Sequence, residues 1–132
     1  KRLVPQPIVR RTSHSTAHGV IYFGSTAPSM NEALGVLEQS GVHLDRLRVR
    51  AFPFPDSVKA FIEQHEQVFV VEQNRDAQLR SMLVNELQVD PSRLVPILHY
   101  DGTPITARFI VQAIRDRMPG AGVRPLQGGR AA

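Results

Sequence analysis

Short apolar runs recur along this chain, and each is followed by a stretch whose apolar residues return at helical spacing. The runs are 19–24 (GVIYFG), 47–52 (LRVRAF), 68–71 (VFVV) and 94–98 (LVPIL). Brief apolar runs bounded by turn residues read as buried strands, and apolar residues three and four apart as the inner face of a helix. Behind the first run, Ser25 and Thr26 offer N-cap hydroxyls, Pro28 suits a first turn, and Met30, Ala33, Leu34 and Leu37 share one face. Gly41 is placed to end that helix in a left-handed conformation. Pro53 and Pro55 stop the second run, and Asp56 or Ser57 can cap a helix that turns Val58, Phe61 and Ile62 inward.

The third run is apolar at successive positions, as in a strand covered on both faces, and leads to a helix over 76–87 with Leu79, Met82, Leu83 and Leu87 inward. Pro96 lacks a ladder donor, which puts the fourth run at a sheet edge. Asp101 and Gly102 then make a turn, Thr103 is the expected cap and Pro104 the first helical position. Ile105, Phe109, Ile110, Ala113 and Ile114 form the buried stripe of the last helix. Strand and helix alternating four times predict an α/β domain with right-handed crossovers: a mostly parallel sheet covered by helices on both faces.

The folded unit is expected to span 19–118. Residues 1–18 mix prolines, hydroxyl residues and basic residues without periodicity and read as an inter-domain linker or a cut surface; 119–132, rich in glycine and proline, read as a loose tail. The length, 132 residues, suits a single core.

Composition removes several classes of function. The chain has no cysteine, so disulfides, thiolate metal sites, iron–sulfur ligation and a cysteine nucleophile are excluded for it. Its five histidines include one pair four apart, His14 and His18, in the linker-like segment, which is too little for a metal site. No GxSxG elbow accompanies its Ser, His and Asp residues. The net charge of +4 belongs to the flanks: 19–114 carries eight basic and eleven acidic residues. Those flanks lack aromatic residues for base stacking, so neither nucleic acid nor a membrane is an expected partner. No apolar run is long enough to span a bilayer or serve as a signal peptide, and the expected location is the cytoplasm.

Two segments carry candidate site residues. Gly24, Ser25 and Thr26 follow the first strand and precede a helix, a geometry that can hold a phosphate or carboxylate or simply turn and cap the chain. With one glycine and no lysine it is neither a dinucleotide fingerprint nor a phosphate loop. Glu72, Asn74 and Gln78 follow the third strand, where parallel sheets present residues to ligands and neighbouring domains. They can contact such a neighbour, and Asn74 or Asp76 can equally cap the next helix. Taken alone, the crevice at the strand ends is also compatible with an independent small-ligand module for a nucleotide or acyl-CoA phosphate.

The strings GVIYFGSTAPSMNEAL, LRVRAFPFP, VFVVEQNRDAQLRSML and LVPILHYDGTPITARFIVQAI together resemble, in content and order, the C-terminal domain of the alpha subunit of bacterial 2-oxoglutarate:ferredoxin oxidoreductases. The most specific piece is Glu72, Gln73, Asn74, Gln78 and Leu79, which is similar to an ExNxxGQL pattern of the wider 2-oxoacid:acceptor group, with Ala77 at the glycine position. That departure fits the 2-oxoglutarate branch better than the pyruvate branch. The resemblance implies a transketolase C-terminal-like fold, an α/β/α sandwich around about five strands of which one can be antiparallel, the fifth expected near the linker. It implies a parent enzyme that oxidatively decarboxylates a 2-oxoacid with coenzyme A and passes electrons to ferredoxin. Thiamine diphosphate, magnesium and an iron–sulfur cluster would be held by other domains of the alpha subunit and by a beta subunit. This chain lacks a GDG-type thiamine diphosphate motif. It is therefore expected to hold no catalytic, cofactor-binding or metal-ligating residue and to contribute architecture, with the other domains and the beta subunit as partners.

Overall fold

A computed structural model describes residues 6–12 and 16–118, apart from the Ser25 side chain. The tail 119–132, and with it residues 1–5 and 13–15 including His14, lie outside the described residues. Five strands and four α-helices run in the order β1 (Ile8–Arg10), β2 (His18–Phe23), α1 (Ala27–Gln39), β3 (Asp45–Val49), α2 (Asp56–Glu63), β4 (Gln67–Glu72), α3 (Gln78–Leu87), β5 (Leu94–Leu98) and α4 (Ala107–Arg117). Among them they form one sheet in the order β1-β3-β2-β4-β5. The four strands β3, β2, β4 and β5 are parallel, and β1 pairs antiparallel with β3.

Alternation along the strands divides the core into two layers. Val20, Tyr22, Phe69, Val71 and Ile97 meet Met30, Ala33, Leu34 and Leu37 of α1 and Ile110, Ala113 and Ile114 of α4. Ile21, Leu47, Val49, Val68, Val70 and Leu94 meet Val58, Phe61 and Ile62 of α2 and Leu79 and Leu83 of α3. The result is the expected three-layer α/β/α sandwich. From β2 the chain steps to one side through α1, then back across β2 and onward through α2 and α3 on the opposite face. Reversing both direction and face keeps one crossover hand throughout.

Local signals behave as their chemistry requires. Gly41 has φ +91°, and the N–H groups of Gly41 and Val42 donate to Glu38 O at 3.1 Å and Leu37 O at 2.9 Å, so the last turn of α1 is closed by a Schellman motif. The strand bearing Pro96 is an edge, and the fifth strand comes from within 1–18, so the sheet begins before Gly19.

Three expectations are corrected. The second strand runs Asp45–Val49 rather than 47–52, because the chain leaves the sheet after Val49 and reaches the cis Phe52-Pro53 peptide. Pro55, not Asp56 or Ser57, holds the N-cap of α2, with Asp56 in the first turn. The last helix starts at Ala107, capped by Thr106, whose hydroxyl accepts from Phe109 N–H at 3.1 Å. Thr103 instead donates its N–H and hydroxyl to Asp101 at 3.0 and 2.6 Å, closing the preceding turn. Among the described residues no helix is long and apolar enough to cross a membrane.

Candidate functional site

The loops that follow β2 and β4 lie side by side, because these two strands are neighbours in the sheet. From β2 the chain moves to one side and from β4 to the other, which opens a crevice at their C-terminal ends. Gly24–Thr26, a 3-10 turn, forms one wall and the Glu72–Gln78 segment the other. A cleft of about 270 Å³ lies there, lined by Phe23, Thr26, Val71, Glu72, Gln73, Asn74, Gln78, Leu79 and Met82. Thus residues nearly fifty positions apart in sequence converge, and Gln73 joins the walls by donating from Nε2 to the Thr26 hydroxyl at 3.2 Å.

Glu72 is the last residue of β4 and is only 4% exposed. Its Oε1 accepts the N–H of Leu79 at 2.6 Å and the Asn74 amide at 3.0 Å, and its Oε2 accepts the N–H of Arg80 at 2.9 Å. A carboxylate is thereby fixed at the N-terminus of α3, where orphan donors and the helix dipole both favour negative charge. Asn74 continues the cap: its Oδ1 accepts from Asp76 N–H at 3.0 Å and Gln78 N–H at 3.4 Å. The residue at the N-cap position, Ala77, makes no side-chain cap and sits at φ 50°, ψ 47°. It is forced into the left-handed region so that the chain can wrap around Glu72.

Glu72 and Asn74 are therefore turned inward onto their own helix, while Gln78 is exposed at the cleft rim. Thr26 is 3% exposed with its hydroxyl already receiving Gln73. The Ser25 side chain lies outside the described residues. The donors that an anion would use at α3 are satisfied by Glu72, whereas the start of α1, where the small-ligand module would hold its phosphate, carries no side-chain cap. Of the other lining residues, Gln73 belongs to the segment singled out by its resemblance and Met82 to the inner face expected of α3; Phe23 was not singled out, and the signal available was that it ends a buried run with an aromatic residue, 38% exposed.

The residues present do not fit the groups that the resemblance implies for a parent enzyme. Iron–sulfur ligation needs thiolates, and the chain has none. Among the described residues no three His, Cys, Asp or Glu side chains come together for a metal ion.

No family model matches the chain. No curated protein matches it either. Its fold is similar to part of the 2-oxoglutarate:ferredoxin oxidoreductase from Magnetococcus marinus, solved with 2-oxoglutarate, coenzyme A and succinyl-CoA bound. The TM-score is 0.76 at 23% identity, over 87% of this chain and 20% of that one. It is also similar to the alpha chain of a probable 2-oxoacid ferredoxin oxidoreductase from Thermoplasma acidophilum, with TM-score 0.55 at 22% identity, covering 84% of this chain and 95% of that one. The chain thus spans a fifth of the first of these proteins, and at such identities what is shared is the fold: a transketolase C-terminal-like α/β/α sandwich around a five-stranded, mostly parallel sheet.

Proposed function

We propose that this chain is the C-terminal domain of the alpha subunit of a cytoplasmic 2-oxoacid:ferredoxin oxidoreductase of the 2-oxoglutarate type. In this reading it packs against the thiamine diphosphate-binding part of its own subunit and supports association with the beta subunit. The parent enzyme would decarboxylate a 2-oxoacid to an acyl-CoA and reduce ferredoxin, using thiamine diphosphate, magnesium and an iron–sulfur cluster held elsewhere. The observation that carries the reading is the likeness over 87% of this chain to a fifth of a larger oxidoreductase. It agrees with the resemblance of the Glu72–Leu79 segment, whose glycine position is the left-handed Ala77. In this reading the domain is catalytically silent by itself, which the absence of cysteine ligands in the sequence and the use of the Glu72 carboxylate as a helix cap support.

The test is to express the parent subunit with and without 19–118, purify each against the beta subunit, and measure 2-oxoglutarate- and coenzyme A-dependent dye reduction. Loss of the complex or of activity on deletion is the expected result. A complex that assembles and turns over normally without the domain would overturn the proposal.

A further inference from the structure

The side chain of His65 is 2% exposed, and both nitrogens of its ring point at acceptors. Nδ1 lies 2.7 Å from Phe61 O, and Nε2 lies 2.8 Å from Asp45 Oδ2. The backbone N–H of His65 goes to Ile62 O at 3.2 Å, so it is the ring that serves Phe61 O, in the last turn of α2. Turning the ring over would set carbons against both acceptors. A neutral imidazole has one N–H and one lone pair, and it can satisfy only one of the two. Together the contacts require two protons: both on the ring, or one on Nδ1 and one on the carboxylate. Either way the pair holds one proton more than a neutral histidine beside an aspartate anion.

The surroundings place that proton on the ring. Asp45 Oδ1 accepts Thr12 N–H at 2.8 Å, and the Arg11 guanidinium stands 3.4 Å from Oδ2, contacts that suit an ionised carboxylate. The carbonyl end of α2 is the negative end of its dipole and favours an imidazolium. Charges approach from several elements. Asp45 of β3 and Glu66, next in the chain, favour a cation; Arg11 from the segment after β1, His18 of β2 and Arg93, whose guanidinium donates to His65 O, oppose it. Among these groups only Asp45 meets a ring nitrogen in a hydrogen bond. Burial, with Glu66 opposing and His65 adding to it, holds His18 below its ordinary 6.5, so that neighbouring imidazole does not compete for the charge.

The ring therefore bridges two elements, the end of α2 and the start of β3. Arg11 spans the same junction from outside, donating to Gln64 Oε1 at 2.7 Å while it approaches Asp45, its guanidinium 5.8 Å from the centre of the Phe61 ring. Gly19 gives the cluster room: a Cβ there would stand 2.9 Å from the Phe61 ring and 3.4 Å from His65 Nδ1. Once the ring has a single N–H, the bridge fails on one side. Either Phe61 O or the Asp45 carboxylate then faces a lone pair in a buried site, where such a mismatch is most costly.

We propose that His65 is a proton-operated latch: its second proton closes the last turn of α2 onto Asp45 of β3, and loss of that proton lets the turn loosen. The folded chain binds a proton that the unfolded chain has released, so the latch strengthens as the pH falls and is lost as the pH rises. Its sense is opposite to that of His18, whose burial disfavours protonation. The device stands on contacts within this chain and is independent of the proposed function.

NMR of the isotope-labelled chain from pH 5 to pH 10 tests it, reading the His65 ring nitrogens alongside hydrogen-exchange protection, corrected for intrinsic rate, of the Gln64 and His65 amides. The expected result is two protonated ring nitrogens at pH 6. As the second proton leaves, protection of those two amides should fall roughly tenfold or more. Thr12, held by the other carboxylate oxygen, should stay level over the same range. His18→Gln should leave the transition in place, and His65→Gln, which does not titrate, should abolish it. A bare ring nitrogen at pH 6, or both protons kept up to pH 10, would overturn the proposal. So would amides of α2 that stay protected while the proton leaves, or a fall shared equally by Thr12, which would mark general unfolding. The wild-type curves decide between these outcomes even if His65→Gln fails to fold.

Discussion

Leu79 N–H donates to the carboxylate of Glu72 at 2.6 Å, across seven residues of chain, and Arg80 N–H joins it at 2.9 Å. A strand end thus caps the helix that follows it, with the intervening loop wound around the capping side chain. Replacing Glu72 by Gln keeps the shape and removes the charge, so one donor loses its acceptor and the helix dipole its counter-charge. Since hydrogen bonds to charged groups contribute about 1.5–3 kcal/mol, the loss expected in urea unfolding is roughly 1–2 kcal/mol. An unchanged midpoint would mean that α3 does not depend on this cap.

Ala77 lies at φ 50°, ψ 47°, the one residue of that loop in the left-handed region. The left-handed conformation costs a residue with a Cβ about 1–2 kcal/mol, and glycine gives back up to about 1 kcal/mol through its freer unfolded chain. Ala77→Gly should therefore stabilise the chain by about 0.5–1 kcal/mol, a rise of a few degrees in melting temperature. Destabilisation would show that the alanine methyl makes a contact worth more than the strain.

His18 stacks on Phe69, ring centroids 6.2 Å apart, and burial holds its pKa below the ordinary 6.5, with nearby His65 acting the same way and Glu66 opposing. The unfolded chain then takes up the proton first as the pH falls. Stability is fully present above about pH 6.5 and declines below it, levelling once the folded state is protonated too. His18→Gln removes this dependence without removing the polar group. The measurement is melting temperature from pH 8 to pH 5 for both proteins. A constant difference between them across that range would refute the assignment. Asp90 and Asp101, held low by hydrogen bonds from Ser92 and Thr103, act in a separate window below their ordinary 3.8.

Much of this architecture is legible in the sequence, because β2, β4 and β5 are apolar runs with turn residues at their ends and α1 shows its stripe plainly. What was not legible depends on contacts between distant segments. Ile8–Arg10 is too short for any period and is a strand by virtue of pairing with Arg46, Leu47 and Arg48. Thr103 and Thr106 are alike as caps until the Asp101 turn claims the first. At the site, spacing located Glu72 and Asn74, but their direction, inward onto α3, follows from a left-handed alanine that sequence pattern does not reveal. Arg46, Arg48 and Arg50 alternate with Leu47 and Val49, a pattern of one charged face; that Arg46 finds its acceptor on Asn31 depends on how α1 packs beside β3.

The end of the sheet opposite the cleft holds a second buried polar cluster that ties the first strand to the rest. Asp45 opens β3, and its Oδ2 faces His65 Nε2 at 2.8 Å, while its Oδ1 accepts Thr12 N–H at 2.8 Å. His65 Nδ1 meets Phe61 O at 2.7 Å, and the ring is 2% exposed. Arg11 approaches the same carboxylate at 3.4 Å. One aspartate therefore serves the segment after β1, the start of β3 and the end of α2. Asp45→Ala strands a buried imidazole N–H and a backbone N–H, and breaking a buried pair from one side costs about 3–5 kcal/mol. Asp45→Asn retains an acceptor oxygen and should cost less. The His65→Ala variant and the double variant complete a cycle whose coupling, expected at roughly 1–3 kcal/mol for contacting partners, isolates the pair from the Thr12 bond. Hydrogen exchange at Thr12 reads the other half: its protection should fall in Asp45→Ala and persist in His65→Ala. Equal protection in all three proteins would show that β1 is held by its ladder with β3 alone.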